Sequence, residues 1–238
     1  MNLKISLLQF LRQLLKYSSS DRFAITSYSQ EGEDMILRRI FEGKEVSRFY
    51  VDVGAHHPKR FSNTYFFYLQ GWSGINIDAM PKSMVLFEEH RPRDINLEIP
   101  IAMKREKLVY TQFNDPALNS FSDELVLARK SIPSVQVIAT LELEAYPLAE
   151  VLDRYLPADQ EITFLNVDVE GLDFQVLQSN DWKKYRPNIV LTEIQKSSLH
   201  AIHTEPIYQY MLEQDYYLYA KAFHTAFFVS KEYWHKFF

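Results

Sequence analysis

The stretch RFYVDVGAHHPKRFSNTYFFYLQGWSGINIDAMP, residues 48–81, decides how this chain is read. Residues 49–53 are short, apolar and rich in β-formers, and they run into a turn at Gly54, a residue that allows backbone geometry and a close ligand approach that others resist. A second apolar strand, 74–77, ends at Asp78, 24 positions beyond Gly54. In nucleotide-binding α/β units an acid roughly 20 residues after the glycine turn holds ribose hydroxyls. Gly54 and Asp78 together therefore suggest an adenosine-containing ligand. A pyrophosphate asks for a glycine-rich turn, whereas this one continues His56-His57-Pro58-Lys59. That speaks against a dinucleotide and a nicotinamide dehydrogenase. S-adenosylmethionine has the ribose and adenine without the phosphates.

Working outward, strand and helix patterns alternate along the chain. A helix is expected over 28–43, with Ser29 as its N-cap and Gly43 as its stop. Further strands are expected at 95–102, 162–171 and 188–193, helices at 61–69, 120–132, 148–155, 172–177 and 205–214, and a closing antiparallel hairpin at 216–222 and 226–229. Residues 108–113 alternate like an added strand, and 135–143 are ambiguous. The main strands are near-continuous apolar runs, as buried parallel strands are. The alternation argues for a doubly wound α/β sheet, which binds ligands at the carboxyl ends of its strands.

The chain has 238 residues, 47% of them apolar, which suits one α/β domain with an extension. Its net charge of −5 with scattered Lys and Arg is no nucleic-acid footprint. The absence of cysteine excludes disulfides, thiol nucleophiles and zinc–thiolate sites, and fits a reducing, cytoplasmic setting. Residues 1–20, MNLKISLLQFLRQLLKYSSS, place Leu7, Leu8, Leu11, Leu14 and Leu15 on one helical stripe. Arg12 and the glutamines interrupt it, so neither a membrane span nor a signal peptide is expected. The stripe suits an amphipathic helix packed on the main domain (21–238) or on a dimer partner, or one resting on the inner face of a membrane.

Three segments, YSQEGEDMIL, FYVDVGAHHPKRFSNTYFFYLQGWSGINIDAMP and FLNVDVEGLDFQVLQSNDW, together resemble the FkbM-type S-adenosylmethionine-dependent methyltransferases. The resemblance runs in order over 28–193. It implies the class I methyltransferase fold, a Rossmann-like three-layer sandwich whose mostly parallel seven-stranded sheet has an antiparallel closing strand. It also implies O-methylation, with sugar hydroxyls of bacterial surface glycans or glycosylated products as acceptors. Carried onto these positions, Gly54, Ala55 and the nearby Asp52 would line the methionine part of the cofactor, Asp78 and Ala79 would meet the ribose, and Ala102 would lie near adenine. Gln30 and Asp34 would close over the cofactor from the N-terminal side. A frequent family form of the turn has a further glycine where this chain has His57-Pro58.

Methyl transfer to a hydroxyl needs alignment and removal of a proton. In NVDVEG, Asp168 and Glu170 share one face while the chain stays extended. Glu193 ends the adjacent strand and should reach the same edge. Converging carboxylates raise a pKa unless a cation intervenes. Two schemes follow. In one, a raised carboxylate or His57 is the base. In the other, Asp168 and Glu193 hold a divalent metal, with an all-oxygen site favouring Mg, Mn or Ca. A non-catalytic adenosyl-binding or partner module with the same fold is the alternative. Residues 118–124, LNSFSDE, are expected on the acceptor side, and His200 and His203 to be an exposed pair.

Overall fold

The computed structural model describes residues 23–195 and 197–238, so the expected helix over 1–20 lies outside the described residues. Among the described residues nine strands form: β1 (Phe49–Val53), β2 (Ser73–Asp78), β3 (Ile95–Glu98), β4 (Glu106–Phe113), β5 (Val137–Ala145), β6 (Phe164–Val167), β7 (Ile189–Glu193), β8 (Tyr216–Ala222) and β9 (Thr225–Ser230). Seven make one sheet in the order β3-β2-β1-β6-β7-β9-β8. β1, β2, β3, β6 and β7 pair in parallel, while β9 runs antiparallel between β7 and β8. This is the expected class I methyltransferase arrangement.

Alternation along each strand builds two cores. Val51, Val53, Leu165, Val167, Val190 and Phe228 face one way, against Leu148, Val151 and Leu152 of one helix (Leu148–Tyr155) and Met211 of another (Pro206–Glu213). Tyr50, Phe164, Ile189, Leu191, Phe227 and Val229 face the other, against Leu37, Ile40 and Phe41 of helix α1 (Glu33–Phe41). Each fully buried side chain of this kind contributes about 1.5–3 kcal/mol. Gly74 of β2 makes room for this second core: a Cβ there would stand 2.1 Å from the Tyr50 ring.

Several details differ from the sequence reading. α1 begins at Glu33, after Gly32 at φ 86°, and Ser29 lies outside it, its hydroxyl donating to the Asp34 carboxylate at 2.8 Å and receiving the Asp34 N–H at 3.4 Å. β3 stops at Glu98, and Ile101 makes only an isolated bridge to Tyr146. Residues 108–113 lie in β4 as the added strand expected there, but the ambiguous 135–143 stretch resolves from Val137 onward as its partner β5, the two forming an antiparallel pair apart from the main sheet with a helix (Asp123–Lys130) between them. Two short helices, Met84–His90 and Lys231–Phe237, carry too few turns for their periodicity to stand out. Among the described residues no helix is long and apolar enough to cross a membrane.

Candidate active site

The parallel strands reverse order between β1 and β6, and a cleft opens at their carboxyl ends, where doubly wound sheets bind ligands. It encloses about 1220 Å³ including its open mouth. The strand ends supply Asp52, Gly54, Asp78, Asp168 and Glu193, residues 30–33 form one wall, and the β4–β5 insertion adds Tyr110, Asn119, Ser120 and Phe121.

On the β1–β2 side the polar groups are locked in place. Gly54 has φ 84°, and a Cβ on it would lie 1.7 Å from the carbonyl oxygen of Asp168, so this glycine lets the β1 turn cross the end of β6. Asp78 accepts the His56 N–H through Oδ2 at 2.8 Å and the Met80 N–H through Oδ1 at 2.7 Å. Burial raises its pKa to about 6, against the pull of those two amides. Asp52, buried, accepts the Thr64 hydroxyl at 2.7 Å and the Asn166 amide at 2.9 Å.

Below this rim lies a buried polar network. Arg91, with no exposed surface, donates to Asp94 at 2.8 Å, to the Tyr50 hydroxyl at 2.7 Å and to Thr64 at 2.9 Å. Asp94 also accepts Tyr50 Oη and the Gly74 N–H. Asp34 plays a similar part in the N-terminal wall. It accepts from the Ser27 and Ser29 hydroxyls and from the Tyr28 N–H, which fixes the segment that brings Gln30 to the cleft.

The β6–β7 side is electrostatically crowded. Asp168 is exposed to the space of the cleft yet recessed in protein. That recess, and then the charges of Glu193, Asp173, Glu170 and Asp52, push its pKa well above the usual carboxylate range. Burial and Glu193 likewise raise Asp173 to about 7, although it accepts the Val169 and Gly171 amides. Glu193 is raised by burial and accepts from Gln195 at 2.8 Å. Glu170 has φ 56° and is held by an ion pair with Arg129, while Ser120 Oγ donates to its carbonyl at 2.8 Å. Glu31 accepts the His224 N–H at 2.8 Å and Glu33 the Thr225 hydroxyl at 3.1 Å, tying the N-terminal wall to β9.

The cleft thus gathers Gln30, Asp52, Gly54, Ala55, Asp78, Ala79, Asp168, Glu170 and Glu193, along with Asn119, Ser120 and Phe121 of the 118–124 segment. Three residues that the sequence put at the site stand back from it. Asp34 faces the 27–29 segment, as described. Ala102 is buried with its N–H on the Tyr146 carbonyl, and it is Ile99 and Ile101 that line the cleft. His57 accepts the Lys59 and Arg60 amides through Nδ1, each at 3.0 Å, and it is His56, at φ 53°, that lines the cleft. Burial, then the charge of Arg60, lowers the His56 pKa.

Among the described residues no three His, Cys, Asp or Glu side chains converge to hold a metal ion, so no third side chain of these types joins Asp168 and Glu193 in such a group. His200 and His203 are exposed, their rings 6.5 Å apart. Sequence reasoning missed Glu31, Glu33, Asp173 and His224. The acids of SQEGED were visible, but only the turn at Gly32 shows that Glu31 and Glu33 face the cleft. His224 carried no local signal, because it reaches the site through the β8–β9 turn.

The profile of the methyltransferase FkbM domain matches residues 52–218 of the chain. No curated protein and no solved structure matches it.

Proposed function

We propose that this chain, which belongs to the FkbM methyltransferase family, is an S-adenosylmethionine-dependent O-methyltransferase acting on a sugar hydroxyl of a surface glycan or glycosylated product. The observation that carries this reading is Asp168: a carboxylate open to the cleft, just beyond the carboxyl end of β6, with its proton affinity raised by its surroundings.

The cleft fits the cofactor. Each oxygen of Asp78 accepts a single amide, which leaves a second lone pair for a ribose hydroxyl. Ile77, Ile99 and Ile101 offer an apolar wall to adenine. Seven carboxylates line the cleft (Glu31, Glu33, Asp52, Asp78, Asp168, Glu170 and Glu193) and, among the described residues, no Lys or Arg does. That field suits a sulfonium and an ammonium and disfavours a pyrophosphate. Bound S-adenosylmethionine supplies an electrophilic methyl group.

The protein supplies position and a proton acceptor. Asp168 takes the proton of the acceptor hydroxyl, a role that a carboxylate of raised proton affinity suits better than an ordinary one. Glu193 and Asp173 keep that basicity high through their charge. Arg129 engages Glu170 and thereby holds the loop after β6 in its left-handed turn. Phe61, 43% exposed, and Phe121, whose ring is tilted against Tyr110 with centroids 4.6 Å apart, offer aromatic surface to a sugar.

The test is transfer of labelled methyl from S-adenosylmethionine to a panel of alkyl glycosides, with the product located by mass spectrometry and NMR. A methyl ether on a sugar ring is the expected product. Methylation confined to nitrogen or carbon nucleophiles offered in parallel would contradict the assignment.

A further inference from the structure

Asn63 carries a buried polar atom that the fold leaves unmet. The residue is 7% exposed and lines the cleft. Its amide orientation is imposed from below. Asp52 accepts through Oδ1, so Asn166 must present Nδ2 to it, at 2.9 Å. Asn166 Oδ1 is then left facing Asn63, which donates from Nδ2 at 3.0 Å. The oxygen of Asn63 is therefore an acceptor, and it is buried without a hydrogen-bond partner. A buried acceptor left unmet is costly, and such atoms in native proteins mark the place of a ligand or a water.

The position of the relay says which donor it awaits. Asp52 and Asn166 are register partners across the β1–β6 seam. Asp78 lies one strand out on β2, whereas Asp168 and Glu193 lie on the opposite side. The N–H of Ser62, next to Asn63, donates to the Tyr28 carbonyl at 3.1 Å, so Asn63 also abuts the wall that carries Gln30. A cofactor anchored by its ribose at Asp78 brings its amino-acid end to this seam.

We infer that Asn63 Oδ1 accepts a hydrogen bond from the ammonium group of the cofactor's amino-acid end; this rests on the S-adenosylmethionine reading above. An ammonium brings both the donor and the positive charge that this carboxylate-lined cleft favours. The Asp52–Asn166–Asn63 chain is then a positioning device, with Asp52 setting the amide direction two residues away from the ligand.

The test measures the affinity of the full chain for S-adenosylhomocysteine and for its deamino analogue, which lacks only that amino group. Calorimetry on the wild type should give a preference of about tenfold for the parent compound, the size of one hydrogen bond to a charged donor. Asn63→Ala and the smaller perturbation Asn63→Ser should bring the two ligands to nearly equal affinity, with thermal unfolding confirming folded variants. A wild-type preference near one, or a preference retained in a folded variant, overturns the inference and leaves the atom to a water. Failure of the wild type to bind S-adenosylhomocysteine at all overturns the cofactor reading itself.

Discussion

Asp52 and Asp168 stand at the ends of neighbouring parallel strands, in one cleft, and their surroundings are opposite. Asp52 is buried, and both of its oxygens are satisfied by Thr64 and Asn166, themselves tied to Arg91 and Asn63. Asp168 is open to the cleft, and among the described residues no hydrogen-bond donor reaches its carboxylate; it meets the charges of Glu193, Asp173 and Glu170 instead. The same side chain is a structural anchor where donors surround it and, on the proposed function, a proton acceptor where carboxylates do. On that reading the β1–β2 half holds a ligand still and the β6–β7 half takes up a proton.

The largest effect expected from breaking this contrast lies under the anchored half. Arg91→Met leaves Asp94 buried without its cation, and loss of one partner of such a pair destabilises by about 3–5 kcal/mol. Denaturant unfolding measures it, and a loss under about 1 kcal/mol would show that the network does not support the rim. Gly54→Ala comes next. Its Cβ would drive against the Asp168 carbonyl in a backbone conformation alanine resists, so a loss of at least about 2 kcal/mol is expected, together with weaker S-adenosylhomocysteine binding.

A subtler effect sharpens the comparison through pH. Asp78 has a pKa raised to about 6. Its anion is the form that accepts two amides and a ribose hydroxyl, so it exists above that value and is lost as pH falls through it. Affinity for S-adenosylhomocysteine should be level above about pH 7 and weaken below about pH 6, by up to about tenfold per unit. Asp78→Asn should bind more weakly and lose this inflection; an inflection that persists would assign it to another group. The smallest change expected is Asp34→Ala. Three hydrogen bonds that fix the 27–29 segment would go, costing about 1–2 kcal/mol and a few-fold in cofactor affinity through Gln30. Hydrogen exchange at 27–31 would show whether that segment loosens.

Much of this architecture is legible in the sequence because its signals are local. The buried runs at 49–53 and 189–193, the glycine turn and Asp78 announce a parallel sheet and the edge that binds. The carboxylates at 168 and 193 follow from strand ends alone. What escapes is decided by pairings across the fold. Whether Asp34 or Glu33 faces the cleft depends on one left-handed glycine. His56 rather than His57 lines it because the turn spends His57 Nδ1 on two backbone amides. Ala102 misses it because β3 ends early and the chain turns to meet Tyr146. The Arg91 network joins residues 50, 64 and 94, which no spacing rule connects.

Asp168→Asn gives the most direct test of the contrast. The substitution keeps the size of the side chain and removes its capacity to take a proton. Methyl transfer from saturating S-adenosylmethionine to a glycoside acceptor should fall by about 10²–10⁴-fold, the usual contribution of a general base, while the affinity for S-adenosylhomocysteine stays within about twofold. A variant that transfers methyl at close to the wild-type rate would contradict the account, as Asp168 would then be no more catalytic than Asp52.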